Sequence, residues 1–119
     1  MSDKPIFSLF NTSESMRVTS DATATTTEPT STCFWHDVYS RDKPDTQEYP
    51  RGRTTTALAG TAEVVICTAP SAQYFRHGDR LYIYNGDTVA HVITVFLDDG
   101  TNRNIFNETL QPGDTLVWE

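Results

Sequence analysis

Positive charge is scarce in this sequence. The 119 residues include nine lysines and arginines against sixteen aspartates and glutamates, which gives a formal net charge of −7. Only Lys4 and Lys43 are lysines. Because nucleic-acid binding depends on clustered Lys and Arg side chains that neutralise phosphates, we expect no nucleic acid among the partners of this protein.

Long apolar runs are also missing. No segment approaches the roughly 20 apolar residues that a membrane-spanning helix requires, and residues 1–5 lack the charged-then-apolar order of a signal peptide. We therefore expect no membrane association, and a protein that stays in a cytosol until it is assembled or released. The hydrophobic fraction of 37% is low for a self-contained globule, so part of the chain is unpacked or a partner supplies part of the core.

Cysteine is limited to Cys33 and Cys67, which are too few for a disulfide scaffold and too far apart in sequence for a metal knuckle. Two interpretations remain. Buried free thiols are favoured, because a reduced cysteine packs as a small apolar side chain. The alternative is a Cys33–Cys67 bridge, which needs an oxidising environment and closely approaching backbones.

A helical stripe of apolar residues is absent from every window of eleven residues. The second half of the chain instead contains short runs rich in β-branched and aromatic residues, ended by Gly with Asn, Asp or Pro. The predicted strands cover residues 63–68, 80–84, 90–97, 102–109 and 115–119. The pattern predicts an all-β chain of one domain whose C-terminal half is an antiparallel meander.

Both faces of the predicted strand from Val89 to Leu97 are largely apolar. A strand in a single solvated sheet would alternate with charged residues, so this strand belongs in an antiparallel β-sandwich of jelly-roll or Ig-like type with a covered outer face. The side chains expected in its core are Val64, Ile66, Leu81, Ile83, Ile93, Val95, Leu97, Ile105, Leu110 and Leu116.

The first 53 residues have a different composition. Residues 19–32 are mostly Ser, Thr and Ala, which supply little apolar area for a core. We predict an extended N-terminal arm and loop segment over residues 1–53, and the sandwich domain over residues 54–119. Two apolar clusters interrupt the arm, and we expect them to bind a neighbouring protein or protomer. These candidate partner-binding residues are Ile6, Phe7, Leu9, Phe10, Phe34 and Trp35. In the alternative, the arm folds back and completes its own sandwich as an edge strand.

Residues typical of reaction centres are few. The histidines are His36, His77 and His91, and none has the spacing from another His or Cys that a metal site uses. A Cys–His nucleophilic pair would need a glycine-bearing elbow or an oxyanion-hole signature, so packed thiols and surface imidazoles are the favoured interpretation.

The Asp98-Asp99-Gly100 segment lacks the ligand spacing of a calcium loop and is typical of a hairpin turn. Asn85-Gly86 is likewise interpreted as a turn, in which Asp87 bonds to its own loop. We therefore predict no catalytic residue, no metal site and no cofactor, and hence no enzyme activity.

Part of the sequence resembles a known class of proteins. Residues 80–101 read RLYIYNGDTVAHVITVFLDDGT, and residues 109–118 read TLQPGDTLVW. This order of strand and turn residues resembles that of the small β-sandwich proteins of tailed bacteriophage virions. In those proteins a strand ending in Asn precedes a strand with an Ala-His start, and a Leu-x-Pro-Gly-Asp-x-Leu turn closes the domain. The resemblance covers roughly residues 57–119.

The resemblance implies a non-enzymatic structural protein of the virion, made in the host cytoplasm and placed on the capsid surface. Its implied role is that of a capsid decoration (cement) protein, which binds and stabilises the shell of the major capsid protein or binds another virion protein. A homotrimer is expected, because symmetric copies would cover strands that are apolar on both faces. The alternative is a tail or head fibre module that binds a host receptor or glycan through aromatic side chains.

Overall fold

The computed structural model describes residues 4–39 and 50–119, and within these ranges the chain forms nine β-strands and no helix. No segment there can therefore act as a membrane-crossing helix. The strands are β1 (Phe7–Leu9), β2 (Ser15–Ser20), β3 (Thr30–Tyr39), β4 (Arg51–Ala57), β5 (Val64–Cys67), β6 (Tyr74–Tyr84), β7 (His91–Asp98), β8 (Asn102–Leu110) and β9 (Thr115–Trp118).

The strands pair antiparallel in two sheets, which confirms the predicted β-sandwich. Sheet A has the order β1-β6-β3-β4, and β9 also pairs with β6. Strand β3 pairs with one side of β6 from Tyr74 to Tyr84. The other side of β6 pairs with β1 over residues 76–78 and with β9 over residues 81–84. Sheet B has the order β5-β2-β7-β8.

The core lies between the sheets and is built from the inward residues of each strand. Its buried apolar members are Leu9, Met16, Val18, Cys33, Leu58, Ile66, Cys67, Leu81, Ile83, Ile93, Val95, Leu110 and Leu116. Of the predicted core residues, Val64 and Leu97 are partly buried against this cluster. Ile105 is 45% exposed, so its predicted place in the core is wrong.

A β-bulge explains the exposure of Ile105. Val95 of β7 pairs with Phe106 and the next residue, Phe96, pairs with Asn104, so Ile105 is the extra residue in β8. A bulge shifts the alternation of its strand, and a simple two-residue period fails on one side of it.

The predicted C-terminal meander is only partly correct. Strands β7 and β8 form a hairpin, as predicted, with Gly100 in the turn at a φ of 104°. Strands β6 and β7, however, belong to different sheets. The Asn85-Gly86 segment is therefore a crossing between the sheets and not a hairpin turn.

Residues 4–39 differ from the expected extended arm. Strand β2 lies between β5 and β7, and strand β3 lies between β6 and β4, so both are inner strands. These residues instead follow the alternative in which the arm folds back and completes its own sandwich. That alternative predicted an edge strand, and of the three strands only β1 lies at an edge. The boundary after residue 53 also falls inside β4, and residues 40–49 of the predicted loop lie outside the described residues.

Two glycines allow aromatic rings to lie against sheet A. The ring of Trp35 occupies the space that a side chain at Gly52 would need, and the ring of Phe7 does the same at Gly78. The guanidinium of Arg76 lies over the ring of Trp35, 3.6 Å from the ring centroid. These contacts use Trp35 and Phe7 inside the protein.

Candidate functional site

The outer surface of sheet A carries an unusual set of side chains for an exposed face. The alternation of β3, β4, β6 and β9 places the core residues on one side of the sheet and aromatic residues and arginines on the other. We call this surface the aromatic face. Its residues are Phe10, Phe34, Phe75, Tyr82, Tyr84 and Val117, with Arg51, Arg53 and Arg80.

Ring contacts order part of the aromatic face. Phe10 meets Phe75 edge to face with ring centroids 5.1 Å apart, and Phe34 meets Tyr82 in the same way at 6.1 Å. These arrangements suit the charge distribution of aromatic rings. The rings stay accessible, since Phe10 is 55% exposed and Tyr84 is 50% exposed. Their apolar area is therefore available to a partner.

Positive charge gathers on the same face, although the chain as a whole carries a net charge of −7. Arg53 pairs in register with Phe34, and Arg51 pairs with His36. Arg80 lies opposite Phe34 on the other neighbouring strand. All three arginines are exposed. The face thus combines apolar rings with the cation that forms the strongest bonds to carboxylates.

Two half-buried histidines lie side by side in the middle of the face. His36 and His77 are paired across β3 and β6, with ring centroids 5.4 Å apart. His36 Nδ1 lies 2.9 Å from the carboxylate of Asp79, and His77 Nδ1 lies 2.7 Å from the hydroxyl of Ser8. Burial and then the charge of His36 lower the pKa of His77, so the pair resists carrying two positive charges.

The structure separates the predicted partner-binding residues into two groups. Leu9 is fully buried, while Ile6, Phe7 and Trp35 pack against the core, so all four serve the fold of this chain. Phe10 and Phe34 belong to the aromatic face. Sequence reasoning offered Tyr82 and Tyr84 as stacking surfaces of a receptor-binding module. It missed Phe75 and the arginines of that face, because the pairing of β3 with β6 and β4 is what brings them together.

A second cluster, which we call the histidine cluster, lies buried at one end of the sandwich. His91 is 1% exposed and contacts residues from two other segments. Its Nε2 lies 2.7 Å from Oδ2 of Asp87, and its Nδ1 lies 2.9 Å from Oγ of Ser20 and 3.3 Å from Oδ1 of Asp21. The predicted surface location of the imidazoles is therefore wrong for His91.

The Asp87 side chain is enclosed and satisfied by hydrogen bonds. Besides His91, it accepts the backbone N–H groups of Thr25 and Thr26, both at 2.9 Å, and the hydroxyl of Thr26 at 3.0 Å. Burial alone would raise the pKa of Asp87. The bonds from His91, Thr25 and Thr26 outweigh it and hold the pKa well below its usual range.

The same contacts favour the protonated form of His91. Burial alone would lower the pKa of the imidazole, but the hydrogen bonds to Asp87 and Asp21 and the charges of these two carboxylates raise it above its usual value. The protonated ring donates from both nitrogens, to Asp87 on one side and to Ser20 or Asp21 on the other. The histidine cluster thus joins the end of β2, the β2–β3 connection and the β6–β7 connection.

Ser20, His91 and Asp87 are the residue types of a serine-hydrolase triad, and each lies within hydrogen-bonding distance of the next. Here Ser20 is 4% exposed, and Asp21 also bonds to the nitrogen that Ser20 contacts. The Asp87 carboxylate is occupied by the backbone of another loop. This geometry holds loops together and presents no nucleophile to a substrate.

Sequence analysis could have found one part of the histidine cluster. Asp87 lies four residues before His91 in the sequence. The metal-site spacings of the histidines involve only His and Cys, so this carboxylate neighbour was not considered. Asn85 is also fully buried, and its side-chain amide donates to the carbonyls of Val89 and Leu110 at 3.0 and 2.9 Å. Within residues 4–39 and 50–119, no three side chains of His, Cys, Asp or Glu are arranged to hold a metal ion.

No protein-family description, curated protein or solved structure matches this chain.

Proposed function

We propose that this chain is a non-enzymatic structural protein of a bacteriophage virion, which decorates the capsid and binds the coat-protein shell through the aromatic face. One observation carries the proposal: exposed aromatic rings and three arginines share one side of sheet A in a chain of net charge −7. The virion as location comes from the resemblance of roughly residues 57–119 to small phage β-sandwich proteins.

The composition of the aromatic face supports binding to a protein surface. Aromatic residues and arginine are enriched at protein interfaces, whereas lysine, aspartate and glutamate are depleted. Phe10, Tyr84 and Val117 are each at least half exposed. Apolar surface in contact with water is unfavourable, and a partner that covers these side chains would remove that contact. The outer side of a sheet is a broad surface, and a capsid shell also presents a broad surface, so the two can meet over a wide area.

The arginines indicate the chemistry of the partner. Arg51 and Arg53 project from β4, at the edge of sheet A, and Arg80 projects from β6. A matching surface presents carboxylates around an apolar centre. Because such charge pairs are screened by salt, binding should weaken as ionic strength rises.

Co-sedimentation with coat-protein shells of the phage that encodes the chain tests the proposal. We expect the unaltered protein to sediment with the shells, and Phe10→Ser, Tyr84→Ser and Arg53→Glu each to weaken binding at least about tenfold. Val92→Ser and Ile105→Ser are the matched controls. They remove apolar side chains of 36% and 45% exposure from sheet B and should bind normally.

Two results would overturn this function. The first is failure of the unaltered protein to sediment with the shells. The second is equal binding by the aromatic-face variants and the sheet B controls. Binding of the free protein to a glycan array, lost in Tyr84→Ser, would instead favour the receptor-binding alternative.

We further propose a homotrimer as the working state, as the resemblance implies. Light scattering should then give a mass of about three times the 13.3 kDa of one chain. A monomer mass at micromolar concentration would exclude an obligate trimer while leaving the binding face to be tested separately.

A further inference from the structure

The two cysteines meet in the core, one from each sheet. Cys33 lies within β3 of sheet A, and Cys67 is the last residue of β5 in sheet B. Both side chains are fully buried and belong to the same apolar cluster. Each is a free thiol in the structure, and each sulfur lies about 4 Å from the carbonyl oxygen of the residue that follows it, Phe34 for Cys33 and Thr68 for Cys67.

The two strands that carry the cysteines are neighbours across the core. Some residues of β3 and β5 have Cα atoms within 8 Å of each other. Disulfide-bonded cysteines have Cα atoms about 4.4–6.8 Å apart, so a bond between Cys33 and Cys67 requires the two strands to meet at that spacing. Cys67 is followed directly by Thr68, which is exposed, so the end of β5 is where the pair lies nearest in sequence to the surface.

We propose that Cys33 and Cys67 form a redox-active pair that closes to an intramolecular disulfide between the two sheets when the chain meets a disulfide oxidant such as oxidised glutathione. The bond would tie β3, an inner strand of sheet A, to β5, an edge strand of sheet B. It would therefore add a covalent link beside the hydrogen bonds that Arg76 of β6 donates to the carbonyl and hydroxyl oxygens of Thr68.

The chemistry is thiol–disulfide exchange in two steps. The Cys67 thiolate attacks oxidised glutathione, which forms a mixed disulfide and releases one glutathione thiolate. The Cys33 sulfur then attacks the Cys67 sulfur, the second glutathione leaves, and the proton of Cys33 goes to it. Two protein thiols are oxidised, and one glutathione disulfide is reduced to two thiols.

The folded protein protects the pair in its reduced form. The interaction with the Cys67 thiol and then burial raise the pKa of Cys33, which keeps its proton on the sulfur. Exchange is therefore slow in the closed sandwich and fast in chains that are folding or have opened at the end of β5. A chain that folds in a reducing cytosol keeps both thiols, and one refolded with an oxidant forms the bond.

Refolding from denaturant with oxidised glutathione tests the pair. After free thiols are blocked, trypsin should yield peptides 18–41 and 54–76 linked by a disulfide, and the intact mass should fall by the two hydrogens lost. The thermal midpoint of the oxidised protein should exceed that of the reduced protein by about 10 °C, because the bond closes a long loop. Dithiothreitol should reverse both changes.

Cys33→Ala and Cys67→Ala are the matched controls, and in each the oxidant should leave the midpoint unchanged. If a variant fails to fold, the linked peptides and the thermal midpoints of the oxidised and reduced unaltered protein still show whether the disulfide forms. Two free thiols after oxidative refolding, glutathione bound to both cysteines, or disulfide-linked dimers would each overturn the proposal.

Discussion

The Nε2 of His91 and the Oδ2 of Asp87 lie 2.7 Å apart, and both side chains are almost completely removed from solvent. Asp87 also receives backbone N–H groups from the β2–β3 connection. A single buried pair therefore fixes two crossings between the sheets. Such a pair contributes to stability only while both partners are present, since a lone buried charge is costly.

Replacement of His91 by Gln should destabilise the protein by about 3 kcal/mol, because the Asp87 carboxylate would lose its charged partner in a buried site. Urea denaturation followed by tryptophan fluorescence measures the change. Val92→Gln, at the exposed neighbouring position, is the control and should change the free energy of unfolding by less than about 0.5 kcal/mol. Equal effects of the two substitutions would contradict the role given to the histidine cluster.

Stability should depend on pH through His91 in a defined direction. The pKa of this imidazole is raised in the folded protein, so its contribution is complete below about pH 6.5 and is lost as the pH rises through the folded value. The difference in unfolding free energy between the unaltered protein and His91→Gln should therefore shrink from pH 6 to pH 9.

His77 provides a control of opposite sign. Its pKa is lowered in the folded protein, so its contribution is present above about pH 6.5 and is lost as the pH falls. The difference between the unaltered protein and His77→Gln should shrink from pH 7 to pH 5. Parallel pH profiles for the two variants would show that these histidines do not titrate as their surroundings indicate.

Gly52→Ala should cost about 2 kcal/mol of stability, because the new methyl group would overlap the ring of Trp35. Truncation of that ring in Trp35→Leu should remove most of the added cost in the double variant. Gly86→Ala, where the nearest atom belongs to the exposed ring of Tyr84, should cost less than about 1 kcal/mol. Additive effects of Gly52→Ala and Trp35→Leu would show that the overlap is not the cause.

A fragment of residues 54–119 should not fold alone, in contrast to the autonomous domain expected from sequence. It lacks β2 and β3, so β7 and β6 each lose a neighbouring strand. Circular dichroism and denaturant titration should report no cooperative transition, and addition of the 1–53 fragment should restore one. Cooperative unfolding of 54–119 by itself would contradict this expectation.

Local signals made part of the fold predictable. Strands β5, β7, β8 and β9 carry β-branched residues between turn formers, and each lies within a residue or two of its predicted range. The Gly100 and Gly113 turns also follow from sequence, because both glycines adopt positive φ angles. These features depend on neighbours along the chain.

Pairing between distant residues explains what the sequence did not reveal. The first part of β3 is polar on both sides, with Thr30 and Thr32 outward and the buried Ser31 inward, so it resembles a linker. Cys33 is the only fully buried apolar side chain of the strand. Asn85 has the sequence appearance of a turn residue, yet it is fully buried and bonds to Val89, Leu110 and Asp114. The aromatic face follows the same rule, since Arg53 and Phe34 become neighbours only through strand pairing.

The inner position of β2 and β3 also sets the order of events during synthesis. A ribosome releases these strands early, whereas Met16 must wait for Cys67 and Thr30 for Ala57 before either strand has one neighbour. The second neighbour comes later still, with Leu97 for Met16 and Tyr84 for Thr30. Pairings so distant in sequence slow folding and leave strand edges open to other chains. The polar start of β3, Thr30 to Thr32, tolerates this wait better than a Val- or Ile-rich segment would. The residues that make this part of the strand resemble a linker thus limit the apolar surface that the nascent chain exposes before its partners are made.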